Sequence, residues 1–142
     1  MFMNNKASAI WKGGLKDGSG TLQTTSTALQ STPYDFKTRF EGAEGTNPEE
    51  LIAAAHAGCF SMALSNILGQ SDLTADSIET SATVTLGKDD DGPAITKVHL
   101  VVKATVPGAT EETFLECAGK AKEGCPVSKL LNAEITMDAQ LT

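Results

Sequence analysis

The sequence has 142 residues, a formal net charge of −7 and a single arginine, Arg39. This length predicts one domain spanning residues 1–142. Nucleic-acid binding depends on clustered lysine and arginine side chains that neutralise phosphates, so the composition argues against a nucleic-acid partner. The acidity instead favours a role in solubility.

The N-terminal ten residues contain one lysine and no apolar core, which argues against a signal peptide. The most apolar run, residues 51–68, is interrupted by His56, Ser61, Ser65 and Asn66. A bilayer span needs about 20 predominantly apolar residues, so this run predicts a buried core helix. We therefore expect a soluble cytoplasmic protein that does not bind a membrane.

Alternating patterns predict three strands before the first helix, at residues 7–11, 21–29 and 34–41. In the third of these, Phe36 and Phe40 would lie on one face and Arg39 on the opposite face. Arg39 is then either a solvated strand residue or, if that face is covered by a helix or a second subunit, a buried cation.

A strong helix start follows at residues 46–50. Asn47 can cap the helix, Pro48 fits its first position, and Glu49 and Glu50 suit the positive end of the dipole. We expect this helix to run to about Leu68, with Gly69 as its stop, and to carry Cys59 near its centre. On regular helical spacing Glu50 points away from Cys59, whereas Glu49 lies nearer to it.

The C-terminal half predicts two strands, at residues 78–86 and 95–106, joined by a hairpin turn at residues 88–93. A helix beginning at Thr110 would turn Phe114, Cys117 and Ala121 inward. A short helix at residues 126–131 and a strand at 133–141 complete the chain. This order predicts an α+β fold with a mostly antiparallel sheet.

Cys59 and Cys125 are the residues best placed to carry chemistry. In a reducing compartment, a distant cysteine pair is more often chemical than structural. Cys125 directly precedes Pro126 at a predicted helix mouth, where free N–H groups favour a thiolate. Cys59 lies among alanines, where burial raises the pKa of a thiol and inert packing is favoured. Its reactivity would need a nearby cation, for which Arg39 is a candidate.

His56 and Cys59 share one helix face at a spacing of three residues. That spacing suits two zinc ligands or a base and its nucleophile, but no CxxC motif is present and the chain has only two histidines. His56 is better interpreted as a pocket wall or a buried core histidine. Cys117 is interpreted as a small apolar residue on a helix face. Residues 89–92 are predicted to form a turn, because they lack the alternate-residue ligand spacing of a calcium-binding loop.

Several sequence blocks together carry a resemblance that runs nearly end to end. They are Ala9-Ile10-Trp11, Thr38-Arg39-Phe40-Glu41-Gly42, the segment GTNPEELI at 45–52, Ala54-Ala55-His56-Ala57, CFSMAL at 59–64, AITK at 94–97 and AKEGCPVS at 121–128. In these blocks the chain resembles the OsmC/Ohr family of bacterial thiol peroxidases, in its OsmC branch.

The resemblance implies reduction of peroxides, with organic hydroperoxides preferred. By position, Cys59 matches the attacking cysteine, Cys125 the resolving cysteine, Arg39 the family arginine and Glu49 its carboxylate partner. It also implies an intertwined homodimer with active sites at the subunit interface. The reductant would be a dithiol of the dihydrolipoyl type, and no metal, flavin or haem is needed.

Two other functions remain open from the residues. One is a non-catalytic dimeric module that binds a small hydrophobic ligand, with its cysteines merely buried. The other is a cysteine hydrolase using Cys59 and His56, although no orienting acid accompanies that pair.

Overall fold

The computed structural model describes residues 2–142, which form two compact units, one extending to Leu51 and one beginning at Ile52. The first unit contains a three-stranded antiparallel sheet in the order β1-β2-β3. Its elements are β1 (Ala7–Lys12), β2 (Ser19–Thr24), β3 (Thr32–Tyr34) and the short helix α1 (Phe36–Phe40). Helix α2 (Pro48–Gln70) starts in this unit and continues into the second.

The strand predicted at residues 34–41 is wrong, because Phe36–Phe40 forms helix α1. Asp35 caps this helix by accepting from the Thr38 N–H at 2.9 Å, and the Thr38 hydroxyl accepts from the Asp35 N–H at 3.0 Å. This reciprocal capping box stabilises a helical turn over the extended conformation that the alternation favoured. Phe36 and Phe40 still share a face, with ring centroids 4.8 Å apart, but as i, i+4 neighbours on a helix.

The strand predicted at residues 21–29 ends early, at Thr24. Turns follow, and two residues in them, Thr27 (φ 64°) and Ser31 (φ 48°), adopt left-handed backbone conformations that a strand cannot contain. The Thr24 side chain closes the loop by accepting from the Leu29 N–H at 3.0 Å. Small hydroxyl residues that bond their own backbone favour such turns, and this preference outweighs their strand-like alternation.

The second unit contains a sheet in the order β4-β5-β6, with an antiparallel β4–β5 hairpin and a parallel β5–β6 pair. Its elements are β4 (Ser77–Asp89), β5 (Gly92–Thr105), α3 (Glu111–Gly124), α4 (Pro126–Leu130) and β6 (Glu134–Leu141). The predicted hairpin turn is present but tighter, since Asp89 pairs with Gly92 and only Asp90 and Asp91 lie between the strands. The helix predicted from Thr110 is present and begins at Glu111, with Thr110 as its N-cap.

The hydrophobic core lies in the second unit, where helix side chains pack against one face of the sheet. Alternate residues of β5, including Leu100 and Val102, are fully buried. Phe114, Cys117 and Ala121 of α3 are buried as predicted. This core fixes the segments that carry both Cys59 and Cys125.

Helix α2 is long and apolar enough to span a membrane by length and composition. Phe60, Leu64 and Leu68 of this helix are fully buried in the core, and they belong to the minority of its apolar window that is buried. The helix passes the predicted stop at Gly69 and ends at Gln70. Its stop is instead formed by Asp72, in a left-handed conformation (φ 57°), which lets the Leu73 N–H bond the Leu68 carbonyl at 3.0 Å.

Candidate active site

The structure brings the Cys59 and Cys125 thiols into contact. Cys59 is half-buried near the middle of α2, and Cys125, at the N-cap of α4, is fully buried. Their sulfur atoms are 2.9 Å apart, and both thiols are free. A disulfide bond is about 2.05 Å long, so the two sulfurs need to approach by only about 1 Å to bond.

The N-terminal turn of helix α4 influences the Cys59 thiol. Cys125 occupies the predicted N-cap but makes no side-chain capping bond, and its thiol donates to the Cys59 sulfur. The Val127 backbone, in the first turn of α4, lowers the pKa of the same Cys59 thiol. One of the groups expected to favour a Cys125 thiolate therefore acts on Cys59.

The net environment nevertheless raises the pKa of Cys59 above its usual value. Burial is the largest cause, and the Cys125 thiol adds to it, whereas the Val127 backbone acts in the opposite direction. Within residues 2–142, no cation is among the groups that shift this pKa. A thiolate at Cys59 consequently needs a positive charge beyond these groups.

Arg39 and Glu49 form an ion pair in the first unit. The Arg39 Nε and Nη2 atoms donate to Glu49 Oε1 at 3.0 and 2.9 Å, and Glu49 is buried. The guanidinium carbon also lies 5.3 Å from the Phe40 ring centre. These contacts fix the plane of a permanently charged group while its side chain remains 37% exposed.

The two glutamates at the start of α2 have different partners. Glu49 binds Arg39, whereas Glu50 accepts from the Thr46 hydroxyl at 2.8 Å. Asn47 caps the helix as predicted by accepting from the Glu50 N–H at 2.9 Å, and its amide donates to the Thr38 carbonyl. That second bond ties the start of α2 to the helix that carries Arg39.

His56 is fully buried and does not act on Cys59. Its Nε2 atom lies 2.8 Å from the Ser128 hydroxyl, and burial lowers the pKa of the ring. The base–nucleophile pairing of His56 with Cys59 is therefore not formed. A cluster of three or more metal-ligating side chains is also absent among the described residues.

An apolar pocket of about 250 Å³ lies beside Arg39 in the first unit. Its lining residues are Trp11, Leu15, Tyr34, Asp35, Phe36, Arg39 and Phe40. The rings of Trp11 and Tyr34 pack 5.5 Å apart, which gives the wall an aromatic surface. Such a pocket suits a small apolar group that carries a polar end near the guanidinium.

Comparison with known proteins identifies the family. The family model described as OsmC-like protein matches residues 41–140. The chain is also 55% identical, over 141 residues and 99% of each sequence, to Peroxiredoxin OsmC of Escherichia coli (strain K12). The chain belongs to the OsmC/Ohr family. This result confirms the predicted family and the prediction of a cysteine-based peroxidase.

More distant relatives of this OsmC/Ohr protein support the same family and the same fold. It is 36% identical over 101 residues to Organic hydroperoxide resistance protein OhrB of Bacillus subtilis (strain 168), covering 71% of this chain and 73% of OhrB. An OsmC-like protein of Vibrio cholerae O1 biovar eltor superposes with a TM-score of 0.75 at 18% identity, covering 97% and 99% of the two chains. That similarity confirms the predicted α+β fold with its long helix.

Sequence reasoning about this OsmC/Ohr protein missed three features of the site: the contact of Ser128 with His56, the effect of the Val127 backbone on Cys59, and the aromatic pocket. One signal was available for the first. His56 precedes Cys59 by three residues and Ser128 follows Cys125 by three, which is the spacing of neighbours on a helix face. The pocket gave no sequence signal, because it depends on α1 being a helix.

Proposed function

We propose that this protein is a thiol-dependent peroxidase that reduces organic hydroperoxides, and less effectively hydrogen peroxide, to alcohols or water. The observation that carries the proposal is the 2.9 Å contact between the Cys59 and Cys125 sulfurs, from two different helices. The names of its relatives, a peroxiredoxin and an organic hydroperoxide resistance protein, support the same chemistry.

In the first step the Cys59 thiolate attacks the peroxide. A sulfur–oxygen bond forms, the O–O bond breaks, and the departing alkoxide takes a proton to leave as alcohol. Cys59 becomes a sulfenic acid. Arg39 stabilises the thiolate and the developing alkoxide, while Glu49 orients the guanidinium through their charge-assisted hydrogen bonds.

In the second step the Cys125 thiol attacks the Cys59 sulfenic acid. A sulfur–sulfur bond forms, the sulfur–oxygen bond breaks, and hydroxide leaves with the thiol proton as water. The disulfide protects Cys59 from irreversible oxidation. A dithiol of the dihydrolipoyl type then reduces the disulfide by thiol–disulfide exchange.

The preference for organic peroxides follows from the pocket beside Arg39. Its aromatic walls favour burial of the alkyl or aryl group of the substrate, which hydrogen peroxide lacks. We assign the organic group to this pocket and the peroxide oxygens to the guanidinium.

The remaining parts of the proposal concern assembly and location. Residues 1–142 act as one OsmC-like domain in an intertwined cytoplasmic homodimer, in which Arg39 of one subunit faces Cys59 of the other. Two observations support a dimer: Cys59 has no cation among the groups that shift its pKa in the described chain, and large apolar side chains such as Ile10 and Met62 are 60% and 77% exposed. Burying such surface is the main driving force of association.

The experiment is a thiol count after mixing the reduced protein with cumene hydroperoxide. We expect the loss of two thiols per chain, and a Cys59→Ser variant should consume no peroxide. Retention of all thiols, or an unchanged rate in that variant, overturns the proposal.

The apolar pocket is also compatible with a module that only binds a small hydrophobic ligand. Such a module would bind cumyl alcohol but would keep all its thiols in cumene hydroperoxide. The same thiol count therefore separates binding from catalysis.

A further inference from the structure

The His56–Ser128 contact forms a second link between the two helices that carry the cysteines. His56 lies on α2 and Ser128 on α4, and the ring Nε2 is 2.8 Å from the hydroxyl oxygen. His56 is completely buried, with a relative solvent accessibility of 0%. None of the proposed chemical steps uses either side chain.

The two links are in register. His56 precedes Cys59 by three residues on one face of α2, and Ser128, in the first turn of α4, follows the N-cap residue Cys125 by three. His56 contacts Ser128, and the Cys59 and Cys125 thiols contact each other three residues farther along α2. Together with the packing of Val127 and Leu131 against the core, the two links restrain both the distance and the rotation of α4 against α2.

Helix α4 needs this restraint because it is a single short element. It spans only Pro126–Leu130, its N-cap makes no side-chain hydrogen bond, and Leu130 is 78% exposed. Helices of one turn have little intrinsic stability and depend on tertiary contacts. The end of α3 anchors the Cys125 backbone, since the Cys125 N–H donates to the Ala121 carbonyl at 2.9 Å. The orientation of α4 beyond Cys125 depends on the contacts that α4 itself makes.

We propose that His56 and Ser128 are positioning residues for the resolving step, which hold Cys125 against Cys59 while the sulfenic acid is converted to the disulfide. This inference rests on the proposed peroxidase function. It concerns the second step only: the sulfur–sulfur bond forms and water leaves, and the histidine and serine neither gain nor lose atoms.

The neutral form of the His56 ring suits this role. Its Nδ1 atom is buried and lacks a hydrogen-bond partner among residues 2–142. A charged ring would bury two N–H donors with one acceptor, whereas a neutral ring that donates from Nε2 leaves only a lone pair unpaired. Burial lowers the pKa of His56 and so favours the neutral form. A glutamine can replace this single donor, and a leucine of similar size cannot.

The test separates the two chemical steps. Reduced protein is mixed with one equivalent of cumene hydroperoxide and quenched with an alkylating agent at successive times, and mass spectrometry follows sulfenic acid, disulfide and sulfinic acid. We expect Ser128→Ala and His56→Leu to form the sulfenic acid at the parental rate but the disulfide about fivefold more slowly, the effect of losing one hydrogen bond. More sulfinic acid should then accumulate with excess peroxide.

Two matched variants serve as controls. His56→Gln keeps the donor and should restore the parental rate of disulfide formation. Ser61→Ala removes another α2 hydroxyl, which contacts Thr80 at 2.7 Å and not α4, and should leave both steps unchanged.

Parental disulfide formation in both Ser128→Ala and His56→Leu would overturn the inference, as would a slow His56→Gln variant. Failure of the proposed function itself looks different, because the parental protein would then keep its thiols in peroxide.

Discussion

At the scale of single residues, the proposed reactivity of Cys59 depends on charges that other residues supply. Burial raises the pKa of its thiol, and among residues 2–142 only the Val127 backbone lowers it. The identity of the supporting cation should therefore affect the first chemical step more strongly than any later one.

Replacing Arg39 by lysine tests this dependence. Lysine keeps the charge but cannot donate to Glu49 from two nitrogens of one rigid plane, so we expect the rate of sulfenic acid formation to fall about tenfold or more. Stopped-flow measurements with cumene hydroperoxide give this rate. The variant Lys37→Arg, on the same short helix, is the control and should behave like the parent. An unchanged rate in Arg39→Lys would remove Arg39 from the proposed mechanism.

At the scale of elements, the short helix α1 connects a local folding preference to the position of Arg39. Its capping box joins Asp35 to Thr38, and the Thr38 carbonyl accepts from the Asn47 amide at the start of α2. The orientation of the guanidinium thus depends on the stability of a helix of five residues.

Removing the Thr38 hydroxyl should loosen α1. Thr38→Val keeps the shape of the side chain but loses the acceptor for the Asp35 N–H, at a local cost of about 1 kcal/mol. We expect faster hydrogen exchange of the α1 amides and a several-fold slower reaction with peroxide. Thr38→Ser retains the hydroxyl and should preserve both properties. Loosened amides with a parental reaction rate would show that Arg39 does not depend on this cap.

The contact between α2 and α4 predicts a pH dependence of stability. Because burial lowers the pKa of folded His56, the unfolded chain binds a proton more readily as the pH falls below about 6.5. The free energy of unfolding should therefore decrease below that pH, with a limiting slope of about 1.4 kcal/mol per pH unit for one proton.

Urea unfolding at a series of pH values measures this effect. The difference between the parent and His56→Gln isolates His56 from the other titrating groups, since the glutamine does not ionise. Parallel stability curves for the two proteins would contradict the assigned burial effect.

At the scale of the whole molecule, the proposed dimer makes a prediction that a monomer cannot satisfy. If Arg39 acts on the partner's Cys59, an Arg39→Ala chain and a Cys59→Ser chain complement each other when they assemble together. Random mixing gives half mixed dimers with one intact site each, so about a quarter of the parental activity should return. Sedimentation should give twice the 14.8 kDa mass of one chain.

Each variant refolded alone is the control and should remain inactive or nearly so. A mixture no more active than its components would argue that Arg39 and Cys59 of the same chain act together, or that no dimer forms.

The sequence predicted most of the second unit correctly because its signals are local and mutually consistent. The start of α3 near Thr110, the apolar periodicity of α3 and the polar turn between β4 and β5 all appear where expected. For α1 the signals conflicted: alternation favoured a strand, and the capping pair favoured a helix. The structure follows the capping pair, and the pocket that depends on α1 could not be predicted for that reason.

The resemblance named the candidate residues, but their contacts could not be predicted from the sequence. Cys59, Cys125, Arg39 and Glu49 followed from the resemblance to the family. That the N-terminal turn of α4 influences Cys59, and that Ser128 binds His56, requires knowing how α2 and α4 pack. Contacts between residues more than 60 positions apart leave little trace in one sequence.

The position of Trp11 provides an intrinsic optical probe. It is the only tryptophan of the chain, and it lines the pocket beside Arg39, with its indole N–H donating to the Gly13 carbonyl at 3.1 Å. Indole emission responds to the polarity around the ring, so the fluorescence spectrum should shift when cumyl alcohol displaces water from the pocket. The same concentration of hydrogen peroxide should produce no shift in a Cys59→Ser variant. Pocket occupancy can thus be titrated without a label and independently of cysteine chemistry.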